Sequence, residues 1–396
     1  MLRTLIISPN REMTERLGGS LAETGEGIHL CRVLDRYPPS EELARTLRAH
    51  APEVVFLSFE DVAKAIETVS YLEMHVSGLQ IIAINRTSDA ELLRESMRAG
   101  VREFVTEPFA MQPLLEALRA AKQSLEKKAP TYESTERVLS FLPSKAGVGT
   151  STLATNIAAA LAKGQEGSVL LTDLDLNSGL LRFLLRLTNE RSLVDAVEHA
   201  HEIDEISWPQ LVTSMSGMDV LHAGGANPNA RVEPSQIQSL VQFARRNYKT
   251  LVFDHSGNME RYSLDVIQES RKVFLVCTPE IPSLHLAREK MGFLKTLGLD
   301  TKVSVLLNRV NKRPLFSSAQ VEELVGAKVA YSFSNDYFAV SRATGAGQCL
   351  EASSAIGKQC VEFANMLSAR TPHNQERRRK FLEYFNVGTP EVIPVE

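Results

Sequence analysis

Ser144-Lys145-Ala146-Gly147-Val148-Gly149-Thr150-Ser151-Thr152 lies between an apolar run, Arg137 to Leu142, and a small-residue stretch that predicts a helix beginning near Ser151. A strand, a glycine turn and a helix N-terminus in that order make a phosphate cradle. Two glycines let the backbone bend until several N–H groups converge, and the helix dipole adds to their pull on an anion. The usual loop of this kind ends in Gly-Lys-Ser/Thr. Here Thr150 takes the lysine position, and the loop's only lysine stands five residues earlier, at Lys145.

The chain has 396 residues, more than one hydrophobic core normally serves, so two domains are expected. Apolar and charged fractions of 43% and 23% are those of a soluble globular protein. The net charge of −4 argues against sequence-independent nucleic-acid binding. Cys31, Cys277, Cys349 and Cys360 are scattered and form no CxxC pair, as buried thiols in a reducing compartment would be. His199 and His201 face different directions on a helix, so a metal held by protein side chains alone is not expected. No stretch approaches the ~20 apolar residues of a membrane helix, and Met1 to Ser8 is too short for a signal peptide. A cytoplasmic location is expected.

In residues 1–127, Leu5 to Ile7, Ile28 to Val33, Val54 to Leu57, Ile81 to Ile84 and Val101 to Val105 read as strands. Residues 11–23, 39–49, 61–74, 89–99 and 111–127 read as helices. Strict alternation predicts a doubly wound α/β unit with a parallel sheet. Residues 128–136, polar and carrying Pro130, read as a linker. From 137 to 370 the alternation resumes, with strands at Val138 to Leu142, Val169 to Leu171, Met218 to Leu221, Thr250 to Phe253, Val273 to Val276, Val303 to Leu307 and Lys328 to Tyr331. Acids recur at strand ends: Asp173 and Asp175 after one, Asp254 after another. In a second doubly wound sheet those ends line the ligand crevice, which brings three acids to the cradle and implies Mg²⁺ and a positioned water.

The first unit resembles the receiver domain of two-component response regulators at Pro52 to Ser58 and Gly100 to Phe109. A working receiver needs an acidic pair, a phosphoacceptor aspartate, a Ser/Thr and a lysine. Those positions read Ser8-Pro9, Ser58, Asn85 and Glu107. Aspartyl phosphorylation needs carboxylates to hold Mg²⁺ and to attack the phosphoryl group. The resemblance therefore implies a receiver fold kept as a docking or dimerisation surface. Glu60 and Asp61 beside Ser58 are read as first-turn acids of the next helix.

Lys145 to Thr152, Asp173-Leu174-Asp175, Asp254 and Leu306-Leu307-Asn308-Arg309 together resemble the deviant Walker-A ATPases that include MinD and ParA. The receiver-like unit in front, the missing loop lysine and Ser334 to Val340 resemble the TadZ/CpaE branch, which serves Flp (Tad) pilus assembly. The resemblance implies ATP and Mg²⁺ as cofactors, held by Lys145, Ala146, Gly147, Val148, Gly149, Thr150, Ser151 and Thr152. It implies that Lys145 crosses the interface of an ATP-dependent homodimer to reach the partner's phosphates. Ser151, Asp173 and Asp254 would serve the metal, Asp175 would orient the attacking water, and Asn308 would read the adenine edge. Taken singly, Ser151 and Thr152 could equally be helix caps, and Asn308 an ordinary loop asparagine. His255, beside Asp254, is read as structural.

Removing one charge-stabilising contact from a phosphoryl-transfer site costs ~10²-fold or more in rate. Thr150 thus implies weak hydrolysis at best. The expected function is an ATP-dependently dimerising scaffold that organises pilus-assembly proteins. The alternatives are an active MinD/ParA-like ATPase working on membrane or DNA, and a response regulator with an ATPase output. In residues 371–396, Arg377-Arg378-Arg379-Lys380 precede Phe381, Leu382 and Phe385 on one helical face. Such a basic amphipathic tail is compatible with peripheral contact on an anionic inner membrane, or with a helix docked on its own domain.

Overall fold

The computed structural model describes residues 1–164, 168–200, 202–225 and 231–368. The basic stretch at 377–385 lies outside the described residues.

The N-terminal sheet has five strands: β1 (Leu2–Ile7), β2 (Ile28–Leu34), β3 (Val54–Ser58), β4 (Gln80–Asn85) and β5 (Glu103–Thr106). Their order is β2-β1-β3-β4-β5 and every pairing is parallel, the flavodoxin-like arrangement. Alternate residues of β3 serve opposite faces. Val54 and Phe56 join Met13, Leu17, Leu114 and Leu118 on one side, while Val55 and Leu57 join Leu43, Leu47, Val69 and Leu72 on the other. Both faces are covered by helices, which is why β3 reads as an unbroken apolar run. Three of this unit's five helices start at capping side chains: Asn10 accepts from Met13 N–H, Asp61 from Lys64 N–H, and Asp89 from Glu91 and Leu92 N–H. Asp61 opens its helix as the cap rather than as a first-turn acid, and Glu60 lies outside it. Val101 is buried but precedes β5, because its N–H donates to Ser96 and closes the preceding helix.

The second sheet contains β6 (Val138–Pro143), β7 (Val169–Asp173), β8 (Thr213–Met215), β9 (Met218–Leu221), β10 (Thr250–Asp254), β11 (Lys272–Cys277), β12 (Val303–Val310) and β13 (Val329–Ser334). Their order is β13-β12-β11-β6-β10-β7-β9-β8. All pairs are parallel except the β8–β9 edge hairpin. That hairpin turns at Ser216 and Gly217, with φ of 52° and 82°, as a two-residue turn with both φ positive. β8 escaped the sequence reading because an edge strand of Thr-Ser-Met carries no apolar run. β6 lies at the centre, and the helix that follows it, Thr150–Gly164, is buried by Leu153, Ala154, Ile157, Ala158 and Leu161. Small side chains bring this helix close against the sheet and against helix Ala355–Ser368.

The connection between the sheets is tied to both. Tyr132 donates its hydroxyl to Pro52 O, Thr131 pairs with Ser77, and Thr135 N–H donates to Arg245 O at 2.8 Å. Arg246 Nε donates to Arg48 O at 2.8 Å, and Ala49 joins the core of the second unit. Helix Ser40–His50 therefore packs on helix Pro234–Asn247, and the two sheets share one packed interface. Among the described residues no helix is long and apolar enough to cross a membrane.

Candidate functional site

The glycine loop leaves the carboxyl end of β6 and enters helix Thr150–Gly164 without an intervening residue. Gly147 and Gly149 have φ of 79° and 93°, conformations that L side chains rarely adopt. A Cβ at Gly149 would also stand 2.4 Å from Asn308 Nδ2. A Cβ at Gly147 would meet nothing within 4 Å, so the loop is open there. The base of the loop is pinned: Ser144 N–H donates to Val276 O at 2.8 Å, and the Ser144 and Ser283 hydroxyls are 2.9 Å apart.

Strand register brings the acids together. Asp254 on β10 pairs with Phe141 of β6 on one side and with Asp173 of β7 on the other. Two carboxylates thus sit on adjacent strands beside the loop, 1% and 2% exposed. Asp173 Oδ1 accepts Asp175 N–H and Oδ2 accepts Leu181 N–H, both at 3.1 Å. Burial pushes the Asp173 carboxyl up to about 6; the backbone bonds oppose the rise and the Asp175 charge adds to it. Asp254 is raised well above the usual carboxylate range, first by burial and then by the negative charge of Asp173, with the Ser151 hydroxyl working the other way. Its Oδ1 is buried and has no hydrogen-bond partner. Asp175 is half-buried, and its Oδ1 caps the amides of Asn177 and Ser178 at 3.2 and 2.8 Å.

A pair of buried, mutually repelling carboxyls with an orphaned oxygen and a hydroxyl beside it is the donor chemistry a hard divalent cation satisfies. Ser151, Asp173 and Asp254 therefore fit Mg²⁺, and the open backbone at Gly147 fits an anion.

The cations stand elsewhere. Lys145 Nζ lies 3.6 Å from Glu280 Oε2, and its side chain is 36% exposed. Thr150 is buried, and its hydroxyl has no partner. Thr152 is half-buried one turn into the helix. Asn308 is 4% exposed on β12, outside the β6–β10–β7 edge. Its Nδ2 donates to Val148 O at 2.8 Å and its Oδ1 accepts Arg309 N–H at 2.9 Å. In this conformation the Asn308 amide braces the loop from behind. Ala146 and Val148 complete the loop, Val148 buried and Ala146 exposed.

His255 is buried with Nε2 2.7 Å from Ser140 Oγ, and burial depresses it to about 3. It is a neutral structural imidazole. Lys290 was not singled out by any motif. Its Nζ donates to Pro143 O at 2.7 Å and Gly257 O at 2.6 Å, tying the root of the glycine loop to the segment after Asp254. Burial lowers it to about 8. A lysine in mid-helix carries no sequence signal of this kind. Glu280 could have been placed at a helix start from the Ile281-Pro282 that follows, but not opposite Lys145.

No protein-family model matches the chain. The septum site-determining protein MinD of Thermotoga maritima is 24% identical over 232 residues, 56% of this chain and 84% of that protein. A ParA family ATPase from Chlorobium tepidum superposes with a TM-score of 0.55 at 22% identity, covering 58% of this chain and 99% of the other. MinD from Pyrococcus horikoshii, solved as a complex with Mg-ADP, gives 0.50 at 18% identity over 59% of this chain and 96% of the other. Spans of that length exceed what residues 1–127 could supply, so these matches reach into the eight-stranded sheet. The glycine loop, the adjoining acids and these likenesses agree: the larger part of the chain has the α/β fold of the MinD and ParA P-loop ATPases.

Proposed function

We propose that the chain is an ATP-binding, ATP-dependently dimerising scaffold that organises Flp (Tad) pilus-assembly machinery, with weak hydrolysis at best. The observation that carries the nucleotide switch is the placement of positive charge. The cradle has its glycines and its metal-type acids, but Thr150 stands neutral and buried where a lysine is usual, and Lys145 leans on Glu280. Phosphate oxygens bound at Gly147–Thr152 therefore lack a counter-charge from their own loop. A second copy, presenting its Lys145 across the cradle, supplies one. Dimerisation and nucleotide binding are then coupled by linkage, because the ligand binds the dimer more tightly than the monomer.

In this reading Ser151, Asp173 and Asp254 hold Mg²⁺, whose role is to neutralise the phosphate oxygens. Asp175, the least buried of the three acids, orients water. The backbone from Lys145 to Thr152 binds the phosphates, and Asn308, which braces Val148 in the free chain, would read the adenine edge. The N-terminal unit, residues 1–127, supplies the partner surface. Its flavodoxin-like order and the serines at the ends of β1 and β3 support a receiver-like unit without phosphotransfer chemistry. Peripheral membrane or polar localisation would follow from the partners and from the basic tail.

The Asp173, Asp175 and Asp254 cluster also favours a second reading, an active MinD/ParA-like ATPase. One experiment separates the two: ATP titration with dimer mass and phosphate release followed together. The scaffold reading expects ATP-dependent dimers with little phosphate release and loss of those dimers in Lys145→Ala. Equal dimerisation of wild type and Lys145→Ala at saturating ATP would discard the shared-site mechanism. Rapid phosphate release would favour the second reading.

A further inference from the structure

Far from the glycine loop, charged side chains converge where the two sheets meet. Helix Ser40–His50 ends on His50, and the turn before helix Trp208–Leu211 carries Asp204 and Glu205. His50 Nε2 lies 3.1 Å from Glu205 Oε2, and the His50 side chain is only 8% exposed. Yet the approach is not aligned as a hydrogen bond, and both atoms are buried without a hydrogen-bonding partner. A buried imidazole nitrogen and carboxylate oxygen held as a close pair at this spacing are also arranged as ligands of a common ion would be. Two donors ~2.0–2.1 Å from a tetrahedral zinc ion stand roughly 3.3 Å apart. Donor atoms of His50, Asp204 and Glu205 all lie within 4.8 Å of one another, and this is the only such group among the described residues.

We propose that His50, Asp204 and Glu205 form a zinc-class divalent metal site that staples the N-terminal unit to the ATPase-like unit. One imidazole with two carboxylates suits Zn²⁺; Ca²⁺ and Mg²⁺ take all-oxygen shells. The Asp204 carboxylate is already oriented, since its Oδ1 accepts the amides of Ile206 at 3.0 Å and Ser207 at 2.7 Å. Arg32 on β2 approaches Asp204 Oδ2 at 3.9 Å and Glu205 Oε1 at 3.8 Å. Those distances are too long for hydrogen bonds, so Arg32 is a loosely held counter-cation that competes with the metal. Bound metal fixes the carboxyl end of helix Ser40–His50 against the 204–205 turn, which makes the relative position of the two units responsive to the ion.

The test uses the full chain without an affinity tag, stripped with chelator and kept in excess Mg²⁺ to occupy hard-oxygen sites. Co²⁺ is titrated while its visible d–d absorption is followed, and Zn²⁺ is then added to displace it. One equivalent of Co²⁺ is expected, displaced by Zn²⁺. His50→Ala and Glu205→Gln should each weaken binding at least about tenfold. Arg32→Ala should tighten it, a gain that a merely structural role for the cluster does not give. Circular dichroism checks that each variant is folded. Retention of wild-type affinity in folded His50→Ala, or weaker binding in folded Arg32→Ala, would overturn the site.

Discussion

At the carboxyl ends of β1 and β3 the chain places Ser8 and Ser58; at the carboxyl ends of β7 and β10 it places Asp173 and Asp254. Both pairs sit at the strand ends of a parallel sheet wrapped by helices on both faces, and all four residues are buried. The hydroxyls are satisfied locally: Ser8 Oγ accepts Asn10 N–H and Ser58 Oγ accepts Glu60 N–H. The carboxylates are not. Their charges repel each other and Asp254 Oδ1 has no partner. One sheet has thus settled its two strand-end hydroxyls within their own turns, while the other keeps an electrostatic cost that a bound cation would relieve. The topology is common to both, and the difference in capability lies in a few strand-end side chains.

The comparison breaks most directly at the glycine loop, which only the second sheet has. Gly149→Ala forces a Cβ into a left-handed conformation and against Asn308 Nδ2. It should cost roughly 1–3 kcal/mol of stability, read by chemical denaturation, and lower ATP affinity at least about tenfold, read by calorimetry. Unchanged ATP affinity would show that the loop does not cradle the phosphates.

A comparable effect should appear in pH dependence. The folded Asp173 carboxyl titrates near 6 against 3.8 ordinarily, so between those values the folded chain holds a proton the unfolded chain has released. The stability this provides is complete below about pH 4 and is lost as pH rises through about 6. The serine-ended sheet has no counterpart. Asp254→Asn removes the second raised carboxyl, whose own titration adds to the loss of stability as pH rises, so it should lessen that loss and raise Tm at pH 7 without metal. Mg²⁺ should raise the Tm of wild type more than that of Asp254→Asn. Identical metal-free pH profiles for the two chains would contradict the assigned pair.

Making the first sheet imitate the second should affect stability alone, with no ligand affinity to lose. Ser58→Asp buries one carboxylate beside Glu60 with no metal set to receive it, because Ser8, Asn85 and Glu107 remain. A loss of about 1–3 kcal/mol is expected in thermal or denaturant unfolding, with no phosphoryl uptake from acetyl phosphate. Phosphorylation of that variant would mean that the first sheet retains more of its chemistry than its residues suggest.

Local chemistry was legible in the sequence wherever it is set by near neighbours. The alternation of apolar runs and amphipathic stretches predicted two parallel α/β units, because burial on both faces requires continuous apolar strands. The helices read from 11, 61 and 89 begin at Arg11, Val62 and Ala90, within a residue of their sequence limits. The loop's glycines are legible for the same reason, since positive φ is a property of the residue itself. β8 was not, being two polar residues and a methionine held by pairing to β9 alone.

What joins residues far apart in sequence was decided only in three dimensions. The sequence suggested that Asp173 and Asp254 lie near the loop, but the register of β7 against β10 makes them a repelling pair. Lys145 Nζ faces Glu280 and the Asn308 amide donates to Val148 O, contacts that no motif in the sequence announces. Lys290 and the His50–Asp204–Glu205 cluster have no motif at all. The sequence by itself determined the class of each element and the residue types at the strand ends, because periodicity and backbone preference act within a few residues. Charge pairing, burial shifts and the interface between the two units depend on distances across strands and between units, so only the tertiary structure decided them.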